Sequence, residues 1–541
     1  MRPFDASGGF SPASGEGGEL WHLAVRGAGA TVFAQGLLLA VHIVSTVILA
    51  RLLTPADFGV VTMVTTFSLL ILNFGLNGFT EAVVQIEEIN NALASNLFWI
   101  NLGAGVLFTI GFAAAGTLLA RFYENPLVAP ISIGISLTIF FNSVSVLHLA
   151  LLKRAMRFPV LAINDIVARS FSVLVSVVFA LTGWGFWALV AGAVALPFAT
   201  STGALVLCRW MPNLPRRVPG TRSMVRFAIN VYGHFSVNYF ARNLDNVLVG
   251  WRFGAQPLGF YKKAYDLFVL PTSQLVSPLT VVAVSALSRL KDDAAQYQRY
   301  LLRSLAVIAF VGMGLGGALT LVGKDVIRLV LGPGWEESGR IFMYFGPGIG
   351  IMLLYYTHGW IHLSIGTANR WFRWGIVEFV VTAFLFLVGL RWGPIGMALA
   401  WTSSFWILAI PSFWYAGKPI NFKATAVIAV VWKYVLASTL AGLACAWLHS
   451  SLISVVASKG IEGAFMRMVV VSSVFAVLYI GVVATFFRGF EPIHQVARLL
   501  PDMLPAGWRS KASRVVSMAG GKGMEPVLSI SKGEIPETGG E

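Results

Sequence analysis

Apolar runs of about 20 residues recur from Thr31 to Phe487, separated by short polar links, and each is long enough to cross a hydrocarbon core as a helix. In lipid every backbone N–H and C=O must be satisfied within the protein, so only helices and closed barrels can span. A barrel needs alternating strands of about 10 residues, and that period is absent. The chain reads as an all-α integral membrane protein. Composition agrees: 57% of the 541 residues are hydrophobic and 12% charged, against a soluble average of about 25% charged. Mean hydropathy is +0.75.

Hydropathy places about 14 transmembrane helices. In a first half they occupy residues 31–50, 58–79, 92–119, 127–151, 160–182 and 186–206. A second half holds 227–250, 258–287, 301–322, 341–365, 371–390 and 394–414, and two more follow at 432–452 and 469–487. With the N-terminus inside, roughly 26 Lys and Arg collect on the cytoplasmic side and roughly 9 on the other. The inner clusters are Lys153-Arg154-Arg157, then Arg209 with Arg216, Arg217, Arg222 and Arg226, then Arg289, Lys291, Arg299 and Arg303. The net charge of +15 is thus a topology signal that puts both termini in the cytoplasm, and nucleic acid is not an expected partner.

Cys208 and Cys445 sit in or beside apolar spans and read as small buried hydrophobes, not a disulfide framework. The Gly- and Ser-rich N-terminus has no apolar core and is not a cleavable signal peptide. The polar tail from about Pro501 is expected to be disordered, with a basic cluster at Arg509, Lys511 and Arg514.

Two of the links share a design. Ala50-Arg51-Leu52-Leu53-Thr54-Pro55-Ala56-Asp57-Phe58-Gly59 and Gly250-Trp251-Arg252-Phe253-Gly254-Ala255-Gln256-Pro257-Leu258-Gly259 each run from an apolar stretch through an arginine and a proline to a closing glycine. Six spans separate them, an even number, so both copies enter the membrane in the same sense, as parallel repeats do. Gly185-Phe186-Trp187-Ala188 and Gly393-Pro394-Ile395-Gly396 open the sixth span of each half in the same way. In the first link Thr54 can cap the following helix, Pro55 suits its first position and Asp57 completes a capping box, so its residues read as structural. The expected organisation is a cytoplasmic segment (1–27), a six-helix bundle (28–209), a basic linker (210–226), a second six-helix bundle (227–416), two added helices (417–488) and a cytoplasmic tail (489–541).

Ala50–Gly59 resembles the signature loop of the polysaccharide-exporting flippases, the Wzx-type branch of the multidrug/oligosaccharidyl-lipid/polysaccharide exporter superfamily. Val84-Gln85 with Asn96-Leu97-Phe98-Trp99 is similar to the next element of that family, and Leu152–Phe158 to its first inner loop. Asp245–Gly250 running through Gly259-Phe260-Tyr261-Lys262-Lys263-Ala264-Tyr265 to Pro271 matches it best, followed by Ser285–Leu290 and Leu331-Gly332-Pro333-Gly334-Trp335. The matches span about Ala50 to Arg340 and keep the family's order and spacing. The resemblance implies a V-shaped transporter, similar to multidrug exporters in fold, in a bacterial inner membrane. It further implies flipping of undecaprenyl-diphosphate-linked oligosaccharide between leaflets for exopolysaccharide or lipopolysaccharide assembly, with polymerase and co-polymerase proteins as partners.

Such a substrate has an apolar tail, a polar head and about two negative charges, so its head needs a cationic path. An ionisable residue at a helix centre costs roughly 2.5–3.5 kcal/mol on insertion scales, which makes each intramembrane charge informative. Arg169, Arg242, Lys262 and Lys263 lie inside spans. Asp165 and Arg169 are four apart, so they share a helix face and are positioned to pair. Asn238, Arg242 and Asp245 recur at helical spacing as one stripe in the most polar stretch of any span, with Asn243 beside them. Lys262 and Lys263 differ by about 100° around the helix, so only one can face a cavity squarely; the family resemblance favours Lys263. Interfacial anchoring with Tyr261 and Tyr265 is the plain alternative.

Candidate substrate contacts are therefore Arg169, Arg242, Lys263, Asn238 and Asn243, and candidate ion-coupling groups are Asp165, Asp245 and Asp266. Glu378 and the histidines His42, His234, His358 and His362 complete the intramembrane titratable set. His358 and His362 are four apart but lack a third ligand at metal spacing, and no phosphate-cradling Gly-Lys-Ser/Thr loop exists, so neither metal, ATP nor another cofactor is expected. Two rival functions stand beside the flippase. A multidrug cation exporter would want a carboxylate-rich site, whereas these candidates lean cationic. A membrane polymerase or ligase would need a catalytic outer loop, and the longest candidate, residues 323–340, has no nucleophile–base arrangement.

Overall fold

The computed structural model describes residues 3–5, 7–10, 17–73, 78–86, 88–455, 460–491 and 494. The basic cluster expected at Arg509, Lys511 and Arg514 lies outside them, as do the side chains of His234 and Asn238. The described residues are nearly all helical, with no strand and two isolated bridges, Phe4 to Phe10 and Gly9 to Asn90.

Seven helices form the first half: α1 (Gly17–Leu52), α2 (Pro55–Asn73), α3 (Thr80–Gln85), α4 (Asn91–Phe122), α5 (Val128–Arg154), α6 (Phe158–Leu181) and α7 (Trp187–Cys208). The second half begins with α8 (Thr221–Phe253), α9 (Ala255–Pro271), α10 (Ser277–Arg289), α11 (Ala294–Leu331) and α12 (Glu336–Tyr356). It continues through α13 (His358–Ser364), α14 (Ala368–Gly389), α15 (Gly393–Gly417), α16 (Ala424–Val455) and α17 (Gly460–Phe487).

Among the described residues helix occupies most of each of the fourteen expected segments, but not as fourteen straight spans. Among the described residues ten stretches are long and apolar enough to cross a membrane, and eleven if a bent pair is included. One of the ten, Ala368–Ile420, holds both α14 and α15, joined through a 3-10 turn at Leu390–Trp392. The segment at 258–287 breaks where Pro271 ends α9 and Pro278 opens α10 around a π turn, bending the pair by 42°. The segment at 341–365 breaks at Thr357 into α12 and α13.

In the first half α4 lies against α5, and α7 against both α5 and α6. In the second, α12 lies between α11 and α15, and α14 packs on α15. α16 and α17 attach to α11: Ser438 Oγ donates to the Met313 carbonyl at 2.7 Å, Tyr479 Oη to the Phe310 carbonyl at 2.8 Å, and Arg467 pairs with Asp325 at 2.7 Å. Contacts group Met1–Tyr479 into one compact unit. In the remaining one, Ile480–Glu541, the described part is the end of α17, where Thr485 bonds the Gly481 carbonyl, with residues 488–491 and 494.

The two halves meet where the repeated links meet. The capping box forms as expected: Thr54 N–H and Oγ1 reach Asp57 Oδ2 at 2.8 and 2.6 Å, and Asp57 N–H returns to Thr54 Oγ1 at 3.3 Å. α2 and α9 then cross backbone to backbone. A Cβ on Gly59 would stand 1.7 Å from the carbonyl oxygen of Ala255, the first residue of α9. A Cβ on Gly259 would stand 1.8 Å from that of Pro55, the first residue of α2. Each closing glycine admits the start of the other copy's helix.

Trp335 plugs the junction. It is 1% exposed, its indole N–H donates to the Ala50 carbonyl at 2.8 Å, and its ring meets Phe58 and Phe260 edge-on at 5.5 and 6.0 Å. Arg51 donates to the Leu329 carbonyl at 3.2 Å beside Gly332. Towards the other ends of the helices, the basic linker is strapped to the start of α4. Asn96 exchanges two bonds with the Arg216 backbone, and Trp99 Nε1 donates to the Asn213 carbonyl.

Candidate functional site

Charged groups on five helices fall into two sets, one around Arg242 and one around His42, with Arg242 and Asp266 both acting on Tyr265 between them. α8 brings Arg242, whose side chain is accessible and whose guanidinium stands 5.2 Å over the Tyr356 ring of α12. Glu378 on α14 faces Arg242 and lies beside the Tyr355 hydroxyl, and Tyr265 of α9 also adjoins Arg242. From α9, Lys263 lies 4.1 Å over the Phe58 ring, directly beneath the hairpin junction. Lys262 is committed elsewhere, paired with Asp266 at 2.6 Å and 5.5 Å over Tyr265. The second set surrounds His42 on α1, on which Arg169 of α6 and Lys263 and Asp266 of α9 all act.

The adjacent lysines divide as helical geometry requires, one tied to a carboxylate and one to an aromatic face. Asp165 and Arg169 are both accessible and feel each other's charge, but no direct ion pair forms between them. Spacing alone does not close an i,i+4 pair when both side chains reach solvent. Among the described residues Arg169, Arg242 and Lys263 have no carboxylate at salt-bridge distance.

The expected single stripe on α8 separates into two environments. Arg242 is accessible, whereas Asp245, one turn on, is 0% exposed. Its carboxylate accepts from Tyr261 Oη at 2.7 Å, Trp401 Nε1 at 2.9 Å and the Asn246 backbone N–H at 2.8 Å. Three donors around an acceptor-only group satisfy a carboxylate without a counter-ion, which is how a buried one is tolerated. Asn243 is half-buried and spends its amide N–H on the Tyr239 carbonyl at 3.0 Å, inside its own helix. Asp266 is held by Lys262, and the Asn238 side chain lies outside the described residues.

Sequence reasoning missed the aromatic half of the site. Tyr356 under Arg242, Phe58 under Lys263 and Trp401 beside Asp245 come from helices remote in sequence, while Tyr261, the other side chain on Asp245, lies on the next helix. The one available signal was the paired hydroxyl run Tyr355-Tyr356-Thr357-His358 in an otherwise apolar segment. An aromatic face beneath a cation lets it sit in a low-dielectric interior without a carboxylate, leaving its N–H groups free for an anion.

A family model described as "Polysaccharide biosynthesis protein" matches residues 48–340. The succinoglycan biosynthesis transport protein ExoT of Rhizobium meliloti is 21% identical over 376 residues, covering 70% of this chain and 76% of that one. The lipopolysaccharide biosynthesis protein WzxC of Escherichia coli is 22% identical over 319 residues, 58% of this chain and 64% of its own length. Among solved structures, the inward closed conformation of the lipid II flippase MurJ superposes with a TM-score of 0.67 at 13% identity, covering 86% of this chain and 99% of that one.

Proposed function

Because the chain belongs to the polysaccharide biosynthesis protein family matched over residues 48–340, we propose that it is a flippase for lipid-linked oligosaccharide, a membrane transporter and not an enzyme. It carries polyprenyl-diphosphate-linked repeat units across the membrane for exopolysaccharide or lipopolysaccharide biosynthesis, a reading supported by relatives named for succinoglycan biosynthesis transport and for lipopolysaccharide biosynthesis. The carrier is undecaprenyl diphosphate, the membrane is the bacterial inner membrane, and both termini face the cytoplasm. A polymerase and a co-polymerase receive the product.

One observation supports this reading: Arg169 and Lys263, from helices of the two halves, both act on His42, Arg242 stands over Tyr356, and none of the three has a carboxylate at salt-bridge distance among the described residues. A diphosphate offers the missing charge. The sugars extend into the accessible space while the polyprenyl tail stays in lipid, so no covalent step is required. Asp165 and Asp266 stand close enough to the cations to compensate them when the head group leaves. A drug-cation exporter would instead have to desolvate a cation beside three cations.

Replacing Arg242 by Ala tests the site. Losing one charged hydrogen-bonding group costs about 2 kcal/mol, roughly thirtyfold in head-group affinity. The variant is expected to insert normally while the lipid-linked repeat unit accumulates on the inner leaflet and polymer output falls. Normal output with normal turnover of the intermediate removes Arg242 from the site. Covalent alteration of a lipid-linked oligosaccharide by the purified protein in vesicles overturns the flippase reading itself.

A further inference from the structure

The basic linker between α7 and α8 is built more firmly than a connection needs to be. From Arg209 to Gly220 it has no helix, yet its backbone is fixed to the first half. The Trp210 carbonyl lies 3.2 Å from Nε2 of His148, and the Trp210 indole donates to Asn91 Oδ1 at 2.9 Å. The Asn213 N–H donates to Ser95 Oγ at 3.0 Å, and the Asn213 carbonyl accepts from Trp99 Nε1 at 2.8 Å. The Arg216 N–H donates to Asn96 Oδ1 at 2.9 Å, and the Arg216 carbonyl accepts from Asn96 Nδ2 at 2.6 Å. Pro212, Pro215 and Pro219 stiffen the chain between these anchors.

The side chains that take no part in this anchoring are left exposed. Met211 is 81% exposed and Leu214 78%, although water is an unfavourable surrounding for both. Arg209, Arg216, Arg217, Arg222 and Arg226 are exposed around them, and none has a carboxylate at salt-bridge distance among the described residues. The sequence offers no acidic residue between Asp165 and Asp245. A solvated basic loop needs neither a pinned backbone nor exposed apolar side chains. Exposed apolar surface also adjoins the linker: Val206 ends α7, and Trp99, whose indole holds the Asn213 carbonyl, lies in the apolar run of α4. α7 has 22 residues and is about 33 Å long, little more than a hydrocarbon core of about 30 Å. Its end at Cys208 therefore lies at the membrane surface, and so do the residues that follow.

We propose that the linker from Arg209 to Arg226 is a docking site for anionic phospholipid, with its arginines on headgroup phosphates and Met211 and Leu214 in the acyl region beside them. The partner follows from the chemistry. Guanidinium groups take phosphate oxygens through pairs of parallel hydrogen bonds, and juxtamembrane basic residues are drawn to a negatively charged leaflet. An amphiphile with phosphate at one level and hydrocarbon at the next matches both sets of side chains at the place where they stand. Trp99 suits the same boundary, an aromatic ring whose single donor is already bonded to the linker. The anchors of the linker belong to α4 and α5, so a lipid held here tethers the first half to its leaflet. Arg169, Arg242 and Lys263 take no part, and the proposal does not rest on the flippase reading.

The test uses the full chain in nanodiscs, carrying a bimane label on the Pro215→Cys variant. Pro215 is exposed between Leu214 and Arg216, and both native cysteines are buried. Quenching is compared for phosphatidylglycerol and phosphatidylcholine bearing the same spin label near the top of one acyl chain, and for acrylamide in the water. The reporter is expected to be quenched by the phosphatidylglycerol at a mole fraction at least about fivefold lower, the worth of one surface arginine. Arg216→Gln/Arg217→Gln is expected to lose most of that preference. Arg216→Lys/Arg217→Lys keeps both charges and is expected to retain most of it, which separates lost lipid binding from lost fold. Met211→Ser/Leu214→Ser is expected to keep the preference and to raise acrylamide quenching several-fold. Equal quenching by the two lipids, or an unchanged preference in the glutamine variant, overturns the proposal. Quenching by acrylamide alone also overturns it and leaves the face to a soluble acidic partner. Displacement of the phosphatidylglycerol by an equimolar short-chain prenyl diphosphate overturns it too, and assigns the arginines to the proposed substrate. No flipping is measured, so each of these outcomes leaves the flippase reading standing.

Discussion

At the scale of single residues, the site separates charges that the sequence places side by side. Lys262 and Lys263 are neighbours, yet one is tied to Asp266 and the other lies on Phe58. Arg242 and Asp245 are one helical turn apart, yet one is accessible and the other enclosed. Asp245 is held by Tyr261 and Trp401, which tie α8 to α9 and α15. Its carboxylate is thus a fixed acceptor joining three helices. Tyr261→Phe removes one of its donors and leaves shape and volume nearly intact. A hydrogen bond to a charged group contributes about 1.5–3 kcal/mol, so the purified variant is expected to melt several degrees lower. Trp401→Phe should act in the same direction. A melting temperature unchanged in both variants shows that the carboxylate does not depend on these donors. The same residues explain how far the site was legible. Charges stand out against an apolar background, so Arg169, Arg242, Lys263 and the acidic groups were readable one by one. Their partners were not, because Trp401 lies 156 residues from Asp245 and an aromatic in a membrane helix is ordinary packing material.

At the scale of elements, periodicity and capping carried most of the reading. Hydrophobic runs long enough to span are helices here, and the Thr54–Asp57 capping box forms as its spacing implies. What hydropathy could not register was continuity. α9 and α10 share one apolar run but are broken at Pro271, and α12 and α13 are broken at Thr357 with no proline at the break. An apolar average is blind to such breaks, whereas α8, which carries the most polar stretch, runs unbroken from Thr221 to Phe253. The closing glycines of the two links are a second case. In the sequence they look like loop punctuation, yet at Gly59 and Gly259 a side chain would collide with backbone, not with a movable side chain. Overpacking typically costs about 1–3 kcal/mol, and rigid backbone leaves little room to relax. Gly59→Ala and Gly259→Ala are each expected to destabilise the junction by about that amount. Because the two contacts are reciprocal, the double variant should cost less than the sum of the singles, the first having already parted the helices. Additive losses in thermal unfolding argue that the contacts are independent.

At the scale of the whole molecule, the proposed site lies next to the junction of the two links. Lys263 lies directly beneath it on Phe58, and Phe58 in turn meets Trp335. In the proposed transport, passage towards that junction would part Trp335 from the Ala50 carbonyl, Arg51 from that of Leu329, and Gly59 and Gly259 from the opposed helix starts. These contacts are few and sit together, so they can break as a unit, whereas the strap at the start of α4 stays within residues 91–221 and need not break with them. Trp335→Phe keeps an aromatic ring in the junction and deletes only the bond to Ala50. The expected loss of about 0.5–1.5 kcal/mol shifts the balance towards the open junction by up to roughly tenfold. Lys263→Cys supplies the reporter, labelled by a membrane-impermeant thiol reagent added from the side of the links. The background is low because both native cysteines, Cys208 and Cys445, are buried. Adding Trp335→Phe to that reporter chain is expected to raise the labelling rate several-fold. Glu378→Cys, deeper in the same site, should respond less, since opening at the junction exposes Lys263 first. An equal rate with and without the tryptophan places the barrier elsewhere, whereas acceleration at both positions alike means that the junction is the sole barrier above the site.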